Sequence, residues 1–337
     1  MNSLSPLWGD KPYYSLNEYC KNVYHEKLYK IALDAGFTCP NRDGTLGHRG
    51  CIFCSADGSG DFAIKTYSNT AMQSTNADSD AQKNAAIKPI SRQLEEGLTL
   101  FKGKKNGTRF IAYFQAFTNT YAPSSYLKQI YTQALSHPDI AGISIATRPD
   151  CISEECFTLL SELKKQYPDK FIWVELGLQT IHETTAEFIR RGYPLSVFEQ
   201  TMTKLTAHHI PVIVHVILGL PMENESMQYE TIHYLNKWKP FGIKLQLLHI
   251  LKGTDLADYY LEPANHFEAL TQENYISLLI GCIERLSPDI VIHRVTGDGP
   301  KNLLIAPTWS LNKRNVLNIL HKQMREQYSY QGKLYQP

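Results

Sequence analysis

Along the chain, short apolar runs rich in β-branched residues alternate with segments whose apolar positions recur every three to four residues. The first pattern reads as buried strands and the second as helices with one apolar face. It predicts strands at Leu28–Leu33, Arg109–Phe114, Gly142–Thr147, Phe171–Leu178, Pro211–Leu218, Ile243–Ile250 and Asp289–Arg294. Between them, Leu127, Ile130, Tyr131, Ala134 and Leu135 make one helical stripe, and Tyr275, Leu278, Leu279, Cys282, Ile283 and Leu286 another. Ser196-Val197-Phe198-Glu199 has the form of a capping box opening the helix that carries Met202 and Leu205. Near the end, Ser310 is placed to cap a helix over 311–327 with Val316, Leu317, Leu320 and Met324 on its buried stripe.

Uninterrupted alternation of strand and helix is the signature of a parallel sheet. Seven strands are too many for a small doubly wound sheet and too few for a closed eightfold barrel. The expected fold is therefore α/β, an incomplete (β/α)6-type TIM barrel of parallel strands with a C-terminal strand and helix extension. The expected division is an N-terminal extension (1–27), the partial barrel (28–288) and the C-terminal extension (289–337). Within the barrel, a polar loop at 34–60 follows the first strand, and the Ser/Asn/Asp/Ala/Gln-rich segment at about 71–86 reads as a mobile surface insertion. Residues from Tyr328 onward form a tail that docks or frays. In such barrels ligands bind at the carboxyl ends of the strands, which puts the 34–60 loop at the mouth.

Composition narrows the class. With 337 residues, 43% of them hydrophobic, the chain has core enough for one large domain. The N-terminus shows no basic start followed by an apolar run, and no apolar stretch approaches spanning length, so a cytoplasmic protein without a membrane partner is expected. The formal charge of +1 lacks the basic excess of many nucleic-acid binders. Local basic groups remain, at Lys102, Lys104, Lys105 and Arg109, and at Lys301, Lys313, Arg314, Lys322 and Arg325.

Three of the seven cysteines, Cys39, Cys51 and Cys54, fall in the polar loop. No fourth cysteine lies near them in sequence, so a metal cluster held here would keep one coordination position open for a ligand. His48, inside the loop, would instead complete a closed Cys3His zinc site, and the loop by itself leaves both readings standing. Pro40, Gly44, Gly47 and Gly50 let the backbone wrap a bound centre. A disulfide framework fits poorly with an odd cysteine count and no export signal. Cys20, Cys151, Cys156 and Cys282 form no further C-x2-C pair and read as structural. His215, inside an apolar strand, reads as a core histidine or a pocket wall. His293, Arg294, Thr296 and Asp298 follow the seventh strand, where they either grip substrate at the rim or close the open side of the barrel.

Four blocks carry a resemblance: LDAGFTCPNRDG at 33–44, YFQAFTNTY at 113–121, HVILGLP at 215–221 and IHRVTGD at 292–298. In this order they resemble the radical S-adenosylmethionine superfamily, and within it the YhcC/YtqA-type proteins related to the Elongator catalytic subunit. The resemblance implies a [4Fe–4S] cluster on Cys39, Cys51 and Cys54, whose open iron binds S-adenosylmethionine. One electron then cleaves the cofactor to a 5′-deoxyadenosyl radical that abstracts hydrogen from substrate. It further implies an electron donor such as flavodoxin or ferredoxin. The eleven residues between Cys39 and Cys51 depart from the superfamily's commonest C-x3-C-x2-C spacing and match the Elongator-related branch, and Gln115-Ala116-Phe117-Thr118 stands where many relatives carry Gly-Gly-Glu.

Position by position, the resemblance implies cofactor contacts from Phe53, Gln115, Glu175, Gln179, Arg191, Ile217 and Gly219. Glu175 and Gln179 would face the ribose, Arg191 the methionine carboxylate, and Ile217 and Gly219 the adenine. His293, Arg294 and Asp298 are the substrate-side candidates. Kinship with the Elongator subunit implies tRNA and remodelling of the C5 substituent of the wobble uridine. Only a helix and tail follow the barrel, so acetyl-CoA chemistry is not expected. The rival readings are a radical enzyme for a small metabolite or protein, and a non-catalytic zinc- or RNA-binding adaptor.

Overall fold

The computed structural model describes residues 5–58, 63, 88–101 and 107–337. The segment at about 71–86, and Lys102, Lys104 and Lys105, lie outside the described residues. The strands are β1 (Tyr29–Leu33), β2 (Phe110–Phe114), β3 (Ile140–Thr147), β4 (Phe171–Gln179), β5 (Val212–Leu218), β6 (Gly242–Leu247), β7 (Ile250–Leu251), β8 (Val291–Arg294) and β9 (Leu304–Ala306). Seven of them form one sheet in the order β1-β2-β3-β4-β5-β6-β8, with every neighbouring pair parallel. A parallel strand cannot return by a tight turn, so each step needs a crossover, and helices supply it.

These helices are α2 (Ile90–Leu100), α3 (Ser124–Leu135), α4 (Glu154–Gln166), α5 (Glu183–Phe188) with α6 (Leu195–Ala207), α7 (Glu225–Trp238), and α8 (Asp255–Leu261) with α9 (Gln272–Arg285). They follow α1 (Leu16–Tyr24), and α10 (Lys313–Glu326) closes the series. The stripes read from the sequence are the ones buried: Leu127, Ile130, Tyr131, Ala134 and Leu135 on α3, and Tyr275, Leu278, Leu279, Cys282 and Ile283 on α9. They join the outward-facing side chains of the strands in the main core. The result is a curled, incomplete barrel with helices outside, as expected.

Its amino-terminal end is stopped by α1. Tyr19 of that helix meets Trp173 and Phe241 with ring centroids 6.2 Å and 4.9 Å apart, and Cys20, Leu28, Ile111, Ala141, Trp173 and Ile213 pack as one apolar plug. Ligands therefore have the carboxyl ends of the strands as their mouth.

Local expectations needed correction in three places. The sixth strand does not run to Ile250: it ends at Leu247, and Ile250–Leu251 pairs antiparallel with β9. Ser196 does not cap α6, because the helix starts at Leu195 behind Pro194 and the Leu195 N–H is satisfied by the Glu183 carboxylate. Ser310 does not cap α10 either: it lies in a 3-10 turn and donates to the Pro307 carbonyl, while Asn312 is the cap, accepting from the Asn315 N–H at 3.2 Å. The tail docks. Gln331 accepts from the Tyr14 N–H and donates to the carbonyls of Ser287 and Ile290. No helix among the described residues is long and apolar enough to cross a membrane.

Candidate functional site

The loop after β1 is folded by its own backbone. Arg42 and Asp43 N–H groups return to the Cys39 carbonyl at 2.8 and 3.1 Å, the Gly50 N–H reaches the Asn41 carbonyl at 2.7 Å, and the Cys54 N–H reaches that of Cys51 at 3.0 Å. Ile52 nails it to the rim, packing in an apolar cluster with Ile189, Ile217, Leu220 and Leu248 while its N–H donates to the Ile189 carbonyl. Cys51 and Cys54 flank that anchor, and with Cys39 they line one cavity at the carboxyl ends of the strands.

One of the three thiols is eased towards the thiolate that binds metal. A hydrogen bond from Cys54 eases the Cys51 thiol down to about 7 against the opposing effect of burial, with help from Arg148, Asn41 and Arg42. Cys54, as the donor of that bond and buried, is pushed well up. Outside the loop, burial raises Cys20 to about 11 and Cys156 to about 12, in contrast to Cys51. His48, the alternative fourth ligand, folds over Gly44 and does not line the cavity. Among the described residues no three His, Cys, Asp or Glu side chains converge as a single-ion site demands. Three thiols around one cavity suit a cluster, which takes one thiolate at each of several irons.

Phe53, Gln115, Glu175, Gln179 and Arg191 line the same cavity. Gln179 owes its place to an irregularity: the β4–β5 register slips between Gly177 and Gln179, and Gln179 adopts φ +63°. Its amide lies over Gly177, where a Cβ would stand 2.6 Å from Nε2, and its buried Oε1 has no protein partner. A buried acceptor without a partner, on a residue that lines a cavity, is a group that a ligand hydroxyl would satisfy. Arg191 is differently committed. Its guanidinium donates to the carbonyls of Tyr193 and Thr180 at 2.9 and 2.8 Å and to Glu183 at 2.9 Å, which ties down the turn after α5.

Glu175 is the hub of a network that the sequence did not disclose. Its Oε1 accepts from Lys30 at 3.1 Å and Ser144 at 2.6 Å; its Oε2 accepts from His215 at 2.7 Å and from Lys244, whose ammonium also reaches the Tyr113 hydroxyl at 3.0 Å. Six of the seven sheet strands contribute one member each. Burial alone would raise the Glu175 carboxyl, but Lys244, Lys30 and His215 hold it well below the usual carboxylate range. Burial, aided by Lys244, drops His215 to about 4, so near neutrality its ring is uncharged. Its Nε2–H then donates to Glu175, leaving Nδ1 as an acceptor. Tyr113, Glu175 and His215 line the cavity, so this network forms its wall within the barrel. A readable trace existed in Lys30 and Lys244, single lysines inside apolar strand runs, since lysine is rarely buried without a partner.

Other predicted positions lie elsewhere. Ile217 sits in the apolar cluster under the cysteine loop, and Gly219, at φ +86°, donates its N–H to Gln228. His293 packs edge-on against Trp173 and Phe241 at 5.5 Å each, beside the plug. Arg294 pairs with Asp298, which also binds Lys313, and Thr296 is buried. None of these lines the cavity.

A family model described as the radical SAM superfamily matches residues 44–235, and one described as the Radical_SAM C-terminal domain matches residues 240–326. The uncharacterized protein YtqA of Bacillus subtilis is 40% identical over 327 residues, covering 97% of this chain and 94% of its own length. The tRNA uridine(34) acetyltransferase of Methanocaldococcus jannaschii is 22% identical over 187 residues, covering 55% of this chain and 32% of its own. Among solved structures, Methanocaldococcus infernus Elp3 lacking residues 1–46 superposes with a TM-score of 0.61 at 14% identity, covering 90% of this chain and 64% of that one. That likeness is one of fold.

Proposed function

The chain belongs to the radical SAM superfamily, whose enzymes use a [4Fe–4S] cluster and S-adenosylmethionine, and on that footing we propose that it modifies tRNA at C5 of the wobble uridine. In this reading Cys39, Cys51 and Cys54 hold the cluster and the cavity beside them receives S-adenosylmethionine. A single observation supports it most: three thiols, one of them eased towards thiolate, share a cavity at the strand ends with an unpartnered amide oxygen. The adaptor reading falls with membership of an enzyme family.

When bound, the cofactor pair supplies one-electron chemistry that ends in hydrogen abstraction from substrate. The chain's own groups do the rest. Gln179 Oε1 accepts from a ribose hydroxyl, and Phe53 and Gln115 bound the space next to the cysteines. Lys30 and Lys244 hold Glu175 ionised and fixed, so the Tyr113 and His215 side chains face the substrate in one orientation. Water is kept from the lower end by the plug under α1.

The tRNA assignment draws on kinship with the Elongator branch and on the archaeal relative named for uridine 34. Lys301, Arg314, Lys322 and Arg325 offer basic groups towards a phosphate backbone, and a small electron-transfer protein such as flavodoxin or ferredoxin supplies the electron. Anaerobic reconstitution with metal analysis, then assay of 5′-deoxyadenosine formation under dithionite, tests the site. Iron is expected, with turnover lost in Cys39→Ala, Cys51→Ala and Cys54→Ala; full turnover in any one of them would overturn the ligand assignment. Mass spectrometry of tRNA nucleosides from cells with and without the protein tests the substrate. An unchanged profile would hand the site to a metabolite or protein substrate.

A further inference from the structure

Hydrogen-bond donors crowd the cysteine triad, and two glycines hold conformations that make room for them. Asn41 is buried, and its Nδ2 donates to Cys51 Sγ at 3.4 Å and to the Arg190 carbonyl at 2.7 Å. Arg42 folds its guanidinium across the loop, donating to the carbonyls of Cys54 and Ser55 at 3.2 and 2.5 Å with the Phe117 ring 5.8 Å away. Gly50, at φ +74°, leaves bare the spot where a Cβ would stand 2.9 Å from Arg42 Nε. Gly192, at φ +84°, does the same for Asn41, whose Oδ1 would lie 2.8 Å from a Cβ there. In both places a side chain would meet a left-handed backbone and a displaced donor at once.

Charge gives these contacts a purpose. Arg148 is neutralised by a two-pronged pair with Asp150, whereas Arg42 makes no ion pair among the described residues. Its positive charge stands at the cavity that the three cysteines line. Reduction adds an electron to an already anionic thiolate-bound centre, so an N–H aimed at a ligating sulfur and an unneutralised cation nearby favour the reduced state. We propose that Asn41 and Arg42 set the reduction potential of the centre, raising it into reach of a protein electron donor. This rests on Cys39, Cys51 and Cys54 being the cluster ligands. Neither residue touches substrate in this role: both act through the sulfurs.

The test is an EPR-monitored redox titration of anaerobically reconstituted full-length protein, with iron and sulfide content measured alongside. Asn41→Asp keeps the side-chain shape while replacing the N–H donor by an anionic acceptor, and Arg42→Gln keeps a donor and loses the charge. Each is expected to hold full iron yet show about tenfold less reduced cluster at a fixed potential, about 59 mV for one electron, while Arg42→Lys stays near the wild type. Full iron with an unmoved potential in both variants would overturn the proposal. Wild-type protein without a [4Fe–4S] signal would instead sink the ligand assignment itself. Should Asn41→Asp fail to take up iron, pulsed EPR on reduced wild-type protein carrying 15N-asparagine decides: a nitrogen coupling is expected, and its absence counts against Asn41.

Discussion

At the scale of single residues, the buried carboxylate of Glu175 organises the barrel interior. An ion pair of this kind is seldom the cheapest way to fill a core, because both partners lose water. Breaking one is a different matter, since it strands the opposite charge. Glu175→Ala leaves Lys244 and Lys30 without their acceptor and is expected to lose about 3–5 kcal/mol in urea denaturation. His215 gives a pH signature. An unfolded histidine takes up a proton near pH 6.5, whereas folded His215 does so only near 4. The unfolded state therefore binds more protons between these values, and stability falls as the pH drops through that window, by up to about 3 kcal/mol. His215→Gln retains a donor for Glu175 and cannot titrate. Thermal melts from pH 7 to 4 should show a shallower acid decline for the variant, and an identical decline would mean that His215 is charged in the native state. Cys39, Cys51, Cys54, Phe53, Gln115, Glu175 and Gln179, which line the cavity, were legible from the sequence as candidates, and His215 as a core or pocket-wall histidine. The partners of Glu175 were not, because strand-to-strand contacts across a lumen leave no local spacing.

At the scale of elements, periodicity located the helices and tertiary contacts set their ends. Ser-x-x-Glu at 196–199 has the residues of a capping box, yet Glu183 from the preceding helix reaches the Leu195 N–H first and the helix begins a residue earlier. Glu199 is then free to accept from the Tyr234 hydroxyl at 2.8 Å. Two substitutions distinguish these starts. Asn312→Ala removes a working cap and is expected to cost about 1 kcal/mol, whereas Ser196→Ala should be nearly neutral; equal losses in chemical denaturation would contradict the assignment of caps. The sixth strand shows the same principle. The sequence reads Ile243–Ile250 as one strand, but the pairing partner changes from parallel β5 to antiparallel β9, so the strand breaks after Leu247 and a second begins at Ile250.

At the scale of the whole molecule, both chain ends work as parts of the barrel. The α1 plug seals the amino-terminal mouth through Trp173, whose ring stacks on Phe171 at 3.8 Å and meets Tyr19. Trp173→Ala opens a cavity there and is expected to cost about 3–5 kcal/mol, measured by denaturant midpoint; a loss below 1 kcal/mol would mean the plug does not seal. The docked tail depends on Gln331, which is buried and bonded at both ends of its amide. What the sequence determined by itself was the order of strands and helices, the parallel sheet and the cysteine loop at its mouth, because hydrophobic period and loop chemistry are written in neighbouring residues. The tertiary structure alone decided which lysines face Glu175, that Asn41 and Arg42 gather round the thiols, and which polar atoms stay unpaired. The first is a meeting of side chains from different strands across the barrel lumen, and the others depend on how the loop after β1 and the β4–β5 irregularity fold, which no local pattern of residues encodes.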